Sequence, residues 1–232
     1  MPPVDFICLA NSYKQMRRCV AGLRTDGSGW VRPVSSRPHG ELDPHQYCYP
    51  DKSEPRVLDV IRAGVAGPRP LPHQPENWLI DDTMWRPVER PASVKYASVL
   101  AAAIARDPRL LGSPGGKVPA EYFENHPPAH SLALIQPDAI RWHNLPPIAE
   151  GRPRPRVGFR LGNARYDLPL TDPAYTRTLN MLGVGDHPAA DVWIPADRKV
   201  LFTISFSEPY EGNCYKLVAA VIVVPEAWEA LF

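Results

Sequence analysis

Between Lys14 and Arg37 the sequence sets six cationic side chains (Lys14, Arg17, Arg18, Arg24, Arg32, Arg37) against one acid, Asp26. Asn11, Ser12, Tyr13, Trp30 and Ser35 are interleaved with them. A guanidinium is a planar fork that fits phosphate, and an aromatic ring offers a face to a base. On a hairpin this mixture suits a surface that follows a nucleic-acid strand, with Arg17, Arg18, Arg32 and Arg37 on phosphates and Trp30 and Tyr13 on bases. The same residues also fit an ordinary solvated hairpin, because exposed charge is the base expectation.

A second cluster, Ser205 to Leu217, places Glu208, Glu211, Asn213, Cys214, Tyr215 and Lys216 in a turn between two apolar runs. Such a turn is ordinarily only a turn, but a cysteine and a lysine at a strand mouth are also candidates for a site. A third feature is basic: Arg152, Arg154, Arg156, Arg160 and Arg165 fall in one short stretch without an acid. Three of them alternate with Pro153 and Pro155. A stiff, extended, positive segment suits a nucleic-acid backbone, and equally a soluble charged linker.

Other chemistry is weakly supported. His39, His45 and Cys48 match no standard zinc spacing, so no metal and no cofactor are expected. Cys19 and Cys214 have no histidine near them in sequence to serve as a base. Phosphate-loop, dinucleotide, serine-hydrolase and zincin motifs are all missing. Asp81-Asp82 and Glu121/Glu124 read as surface carboxylates.

The elements that must position these groups are short. The chain has 232 residues, 44% of them hydrophobic, and a formal net charge of +1. Bulk charge therefore excludes a histone-like coat. The 29 prolines argue against a long-helix bundle and for short strands joined by rigid loops. Arginine outnumbers lysine 20 to 6. No run is long and apolar enough for a membrane span, the N-terminus lacks signal-peptide character, and the four scattered cysteines fit reduced thiols. These features make the cytoplasm the expected location and a membrane partner unexpected.

Strands are expected at 4–10, 19–23, 30–34, 57–62 and 84–89, with a glycine turn at 25–29. Ser93 to Arg106 reads as the best helix, stopped by Asp107-Pro108. Further strands are expected at 131–136, 139–142, 157–161, 165–170, 199–206 and 215–224. Gly162-Asn163 marks a tight hairpin. Asp172-Pro173 reads as an N-cap with proline in the first turn of a helix over 174–182. The expected fold is mostly β with a few short helices: two OB-like Greek-key barrels packed together. The domain boundary falls at 127/128, giving an N-terminal barrel with a helical insertion (1–127) and a C-terminal barrel (128–232).

Several segments taken in order resemble the dual OB domain-containing (DuOB) family of bacterial proteins. They are CLANS, RRCVAG, GWVRPVS, GEL at Gly40 to Leu42, QPENW at Gln74 to Trp78, TDPAY at Thr171 to Tyr175, and SEPYEGNCYKLVAAVI. The resemblance runs from about residue 6 to 224. It implies two OB-like barrels and nucleic-acid binding, in settings of bacterial conflict or defence. Its polar motif positions fall here on Asn11, Ser12, Arg18, Arg32, Ser35, Glu76, Asn77, Asp172, Glu208, Tyr215 and Lys216. Tyr13 departs from the basic residue the pattern leads one to expect before Lys14. Fold analogy does not by itself fix function.

The leading expectation is a non-catalytic two-barrel module binding DNA or RNA, single-stranded or distorted. It would act through Asn11, Ser12, Lys14, Arg17, Arg18, Trp30, Arg32, Ser35, Arg37, Glu208, Tyr215 and Lys216. The alternative is a nucleotide pocket or enzyme at a junction of Asn11–Lys14 with Glu208–Lys216, with Cys214 as nucleophile or core. A third reading is an adaptor whose proline-rich loops, 67–75 and 127–155, meet a protein partner.

Overall fold

The computed structural model describes residues 1–14, 16–148, 151–195 and 197–232; the expected loop at 127–155 thus lies partly outside the described residues. The chain is mostly β with a few short helices. It divides into two compact units, Met1–Ala103 with Glu121–Ser131, and Ile104–Ala120 with Leu132–Phe232. The backbone thus crosses between units three times, the last crossing four residues after the expected boundary.

The first unit carries β1 (Val4–Lys14), β2 (Arg17–Arg24), β3 (Trp30–Val34), α1 (Pro44–Tyr47), β4 (Val60–Ala63), β5 (Val65–Pro68), β6 (Asn77–Ile80), β7 (Arg86–Glu89), α2 (Ala97–Ala102) and α3 (Tyr122–Asn125). Its seven strands form one sheet in the order β5-β6-β3-β2-β1-β4-β7. Only the β3–β6 pair is parallel among these neighbours. Valines, isoleucine and aromatics from β1 to β5 bury one face with Leu42, Tyr47, Tyr49 and Trp85. Gly22 sits where a Cβ would stand 1.9 Å from the Ile7 carbonyl oxygen, so only glycine lets β1 and β2 approach there.

The expected helix over 93–106 is shortened to α2, preceded by a 3-10 turn at Val94–Tyr96. Tertiary pairing overrides the helical period. Ile104 forms a parallel bridge with Leu134, and the Ala105 N–H donates to the Leu134 carbonyl at 2.8 Å.

The second unit carries β8 (Lys117–Pro119), β9 (Leu132–Ile135), β10 (Asp138–Leu145), β11 (Arg154–Leu161), β12 (Ala164–Pro169), α4 (Pro173–Leu182), β13 (Gly185–His187), β14 (Val200–Phe206) and β15 (Asn213–Val223). Two four-stranded sheets run β12-β11-β10-β13 and β8-β15-β14-β9. A parallel bridge from Leu170 to Val218 ties them together. Their shared core contains Trp142, Val157, Phe159, Phe202, Ile204 and Val218. The Phe202 ring meets the edges or faces of Trp142 (5.9 Å) and Phe159 (5.5 Å). Asp172 caps α4 by accepting the Ala174 and Tyr175 N–H groups, and its other oxygen accepts Val221 N–H at 3.0 Å. Among the described residues, no helix is long and apolar enough to cross a membrane.

The segment 104–120 is strapped onto the second unit. Leu110 N–H donates to the Tyr166 hydroxyl, which donates to the Pro108 carbonyl. Lys216 Nζ donates to the Ser113 and Gly115 carbonyls at 2.6 and 2.9 Å, and β8 pairs with Asn213–Tyr215.

Candidate nucleic-acid interface

The arginines of the N-terminal hairpin are committed to carboxylates, all but Asp26 supplied by distant parts of the first unit. Arg17 and Arg37 both close on Asp43, Arg18 reaches Glu54 at 2.8 Å, and Arg24 reaches Asp26 at 2.9 Å. The Arg17 and Arg37 guanidiniums hold the Asp43 carboxyl below the usual carboxylate range, Arg17 contributing most. Arg32 is 1% exposed; its guanidinium donates to Ser131 Oγ at 2.8 Å and lies 3.1 Å from Glu76 Oε1. Ser131 in turn donates through both its backbone N–H and its hydroxyl to Glu76. This buried triad joins β3 and the residue before β6 to the end of the 121–131 segment.

The expected phosphate contact of Arg32 and base contact of Trp30 are therefore corrected. Arg32 cannot reach a ligand, because leaving its site would strand a buried Glu76 carboxylate. Trp30 is a core residue, so its ring is not a stacking face. Ser35 is buried and donates to the Glu41 carbonyl; Ser12 is buried against Cys19. Asn11 donates to the Pro55 carbonyl at 2.9 Å. Tyr13 is exposed, with the Arg18 guanidinium over its ring at 4.6 Å, and Lys14 is half-buried on the same strand.

In the C-terminal turn the expected contact of Lys216 is corrected in the same way. Lys216 is fully buried, its ammonium spent on the strap carbonyls and the Tyr166 ring at 5.5 Å, and burial lowers its pKa to about 8. Burial raises the Cys214 thiol to about 11, with Glu208 adding to the effect, so the thiolate nucleophile is scarce at neutral pH. Glu208 is half-buried, and the half-buried Tyr215 ring lies against Tyr210 at 6.4 Å. Asn11–Lys14 belongs to the first unit and Glu208–Lys216 to the second.

The arginines without carboxylates are concentrated in the second unit. Among the described residues, Arg106, Arg109, Arg152, Arg154, Arg160, Arg165 and Arg177 have no acidic partner at ion-pair distance, whereas in the first unit this holds only for Arg56, Arg69 and Arg86. Alternation on β11 turns Val157, Phe159 and Leu161 into the core and Arg154, Arg156 and Arg160 outward. Arg160 stands opposite Arg165 across the β11–β12 ladder, both exposed. Arg154 donates to the Pro146 carbonyl at 3.0 Å, and Arg156 pairs with Asp167, which also bonds His143 Nε2 at 2.9 Å. Gly158, between Arg156 and Arg160, leaves a gap in the row.

Sequence reasoning placed the Arg152 to Arg165 run last among three features and did not single out Arg106 or Arg109. Both lie in the strap, whose register is set by Tyr166. The signal in the sequence was negative: no acid lies within 152–165, while the partners of the N-terminal arginines lie at positions 26, 43, 54 and 76.

The chain belongs to the dual OB-containing domain family, whose model matches residues 4–221. No curated protein matches the sequence. Among solved structures, it is similar to a murine DNA-binding protein bound to double-stranded DNA, at 12% identity and a TM-score of 0.34, over 97% of this chain and 100% of that one. A likeness of that strength bears on neither ligand nor mechanism. Within the family motifs, Arg32, Glu76 and Asp172 hold elements together rather than presenting themselves to solvent.

Proposed function

We propose that this protein binds a nucleic-acid strand, single-stranded or locally opened, through the outward arginine face of β11 and β12. The observation that carries the reading is the Arg160–Arg165 pair, two exposed guanidiniums set opposite each other with no ion-pair partner among the described residues, although Asp138 lies across from Arg160 on β10. Like charges directly across a ladder destabilise a sheet, so an anion delivered by a ligand relieves a cost the fold carries alone. Outward positions on a strand recur about every 6.8 Å, close to the reach between successive phosphates of an extended strand. Arg154 and Arg160 supply such a row, with Arg156 between them held by Asp167. Membership of a dual OB family supports the same ligand class. The family resemblance further supports a bacterial conflict or defence setting, with foreign nucleic acid as the target.

The test is binding of a fluorescent oligonucleotide of about 12 nucleotides as salt rises from about 50 to about 200 mM. About four phosphate contacts to a single strand give a slope of about −3 in log K against log salt. Undetectable binding at low salt, or an affinity indifferent to salt, contradicts the reading.

A further inference from the structure

The β1–β2 hairpin of the first unit carries a polar cluster that the arginine face of β11 and β12 does not use. Tyr13 stands opposite Arg18 across the ladder, and Asn11 precedes Tyr13 by two residues on the same face of β1. Consecutive residues of one loop hold both polar side chains. Asn11 Nδ2 donates to the Pro55 carbonyl at 2.9 Å, and Arg18 Nη2 donates to Glu54 Oε2 at 2.8 Å. The Tyr47 hydroxyl donates to the other Glu54 oxygen at 3.2 Å and lies beside the Arg18 guanidinium. Each of the two side chains thus has one end fixed. Their other ends, Asn11 Oδ1 and Arg18 Nη1, are buried and make no hydrogen bond. An acceptor and a donor left this way carry a desolvation cost that a ligand with the complementary edge removes.

The rest of the cluster sets the chemistry of that edge. Arg18 and Glu54 neutralise each other, so the cluster suits an uncharged ligand rather than a phosphate. The Tyr13 ring is 45% exposed and covers the Arg18 guanidinium, with Cζ 4.6 Å from the ring centroid. A flat aromatic cover over one donor and one acceptor matches a nucleobase that carries a carbonyl oxygen beside a ring N–H, as guanine and uracil do. We infer that Asn11, Tyr13 and Arg18 bind a single base of this kind. Its carbonyl oxygen accepts from Arg18 Nη1, and its ring N–H donates to Asn11 Oδ1. The Tyr13 side chain turns off the guanidinium to admit the base and then stacks on it. The site lies within the first unit and does not rest on strand binding through β11 and β12.

The experiment titrates guanosine, uridine, 1-methylguanosine and 3-methyluridine into the full chain by isothermal titration calorimetry. Nucleosides carry no phosphate, so an arginine row that grips phosphates adds nothing to the readout. Guanosine and uridine are expected to bind with a Kd below about 1 mM. Methylation of the ring nitrogen is expected to weaken each by about tenfold or more, because it leaves Asn11 Oδ1 without a donor. Y13A, a change at an exposed ring, is expected to weaken guanosine by about tenfold through lost stacking. N11L is expected to bind guanosine no better than 1-methylguanosine, with urea midpoints confirming that both variants fold. A trinucleotide with guanine between two abasic sugars identifies the source of the base: displacement of guanosine assigns a strand, and no displacement assigns a free nucleoside. Absence of nucleoside binding, equal affinity for the methylated and unmethylated forms, or an unimpaired Y13A overturns the inference. Each of these results leaves strand binding through β11 and β12 standing.

Discussion

Arg160 stands directly across the β11–β12 ladder from Arg165 on the face away from the core, and among the described residues no carboxylate pairs with either. The hairpin that holds them turns through Gly162 and Asn163, with Gly162 at φ 56, which favours glycine. Beneath them, Phe159, Leu161 and Tyr166 are buried, so the two guanidiniums sit on a rigid base.

The buried triad of the first unit is a stability determinant. R32M leaves Glu76 charged and without its guanidinium in a site where both side chains are nearly inaccessible. The expected loss is about 3 to 5 kcal/mol in urea unfolding. The double variant R32M/E76M is expected to lose less than the sum of the single losses, because the second change removes the stranded charge.

Gly22 has no tolerance for a side chain. G22A places a methyl group at 1.9 Å from the Ile7 carbonyl oxygen, backbone that cannot rotate away. The β1–β2 pairing must separate, and a loss of more than about 3 kcal/mol in thermal or urea unfolding is expected. The glycine of the RRCVAG motif is therefore explained by this approach between strands.

Lys216 links stability to pH. Its pKa falls from the ordinary 10.5 to about 8 on folding because burial disfavours the ammonium. Between these values the unfolded chain binds more protons than the folded one, so stability rises with pH across that window. Urea midpoints of the wild type are expected to gain on those of K216M between about pH 8 and 10.5, the window those two values bound. A pH-independent difference between the two proteins contradicts the assignment.

Asp43 is the clamp of the N-terminal arginines rather than a regulator of binding. D43N frees Arg17 and Arg37 without altering the second unit. Oligonucleotide affinity at physiological salt is expected to change by less than about threefold, the scale of one added surface charge.

Elements with local chemistry were legible in the sequence. Gly162-Asn163 between two alternating runs gave the β11–β12 hairpin, and Asp172-Pro173 gave the start of α4. The helix over 93–106 was overestimated because Ile104 and Ala105 satisfy their backbone against Leu134, a partner no local pattern displays. The ion pairs of the N-terminal arginines were not legible for a related reason. Their cations are contiguous in sequence, whereas Asp43, Glu54 and Glu76 come to them only through folding. Trp30 shows the limit of residue type as a guide, since a ring among cations can equally be core.

The account turns on which arginines meet the strand. The most direct measurement is the oligonucleotide affinity, at low salt, of R160E/R165E beside R17E/R37E, with unfolding midpoints confirming that both fold. The account predicts a loss of about 100-fold or more for the β11–β12 variant and less than about threefold for the N-terminal one. Loss of binding in the N-terminal variant alone, with R160E/R165E unimpaired, contradicts it.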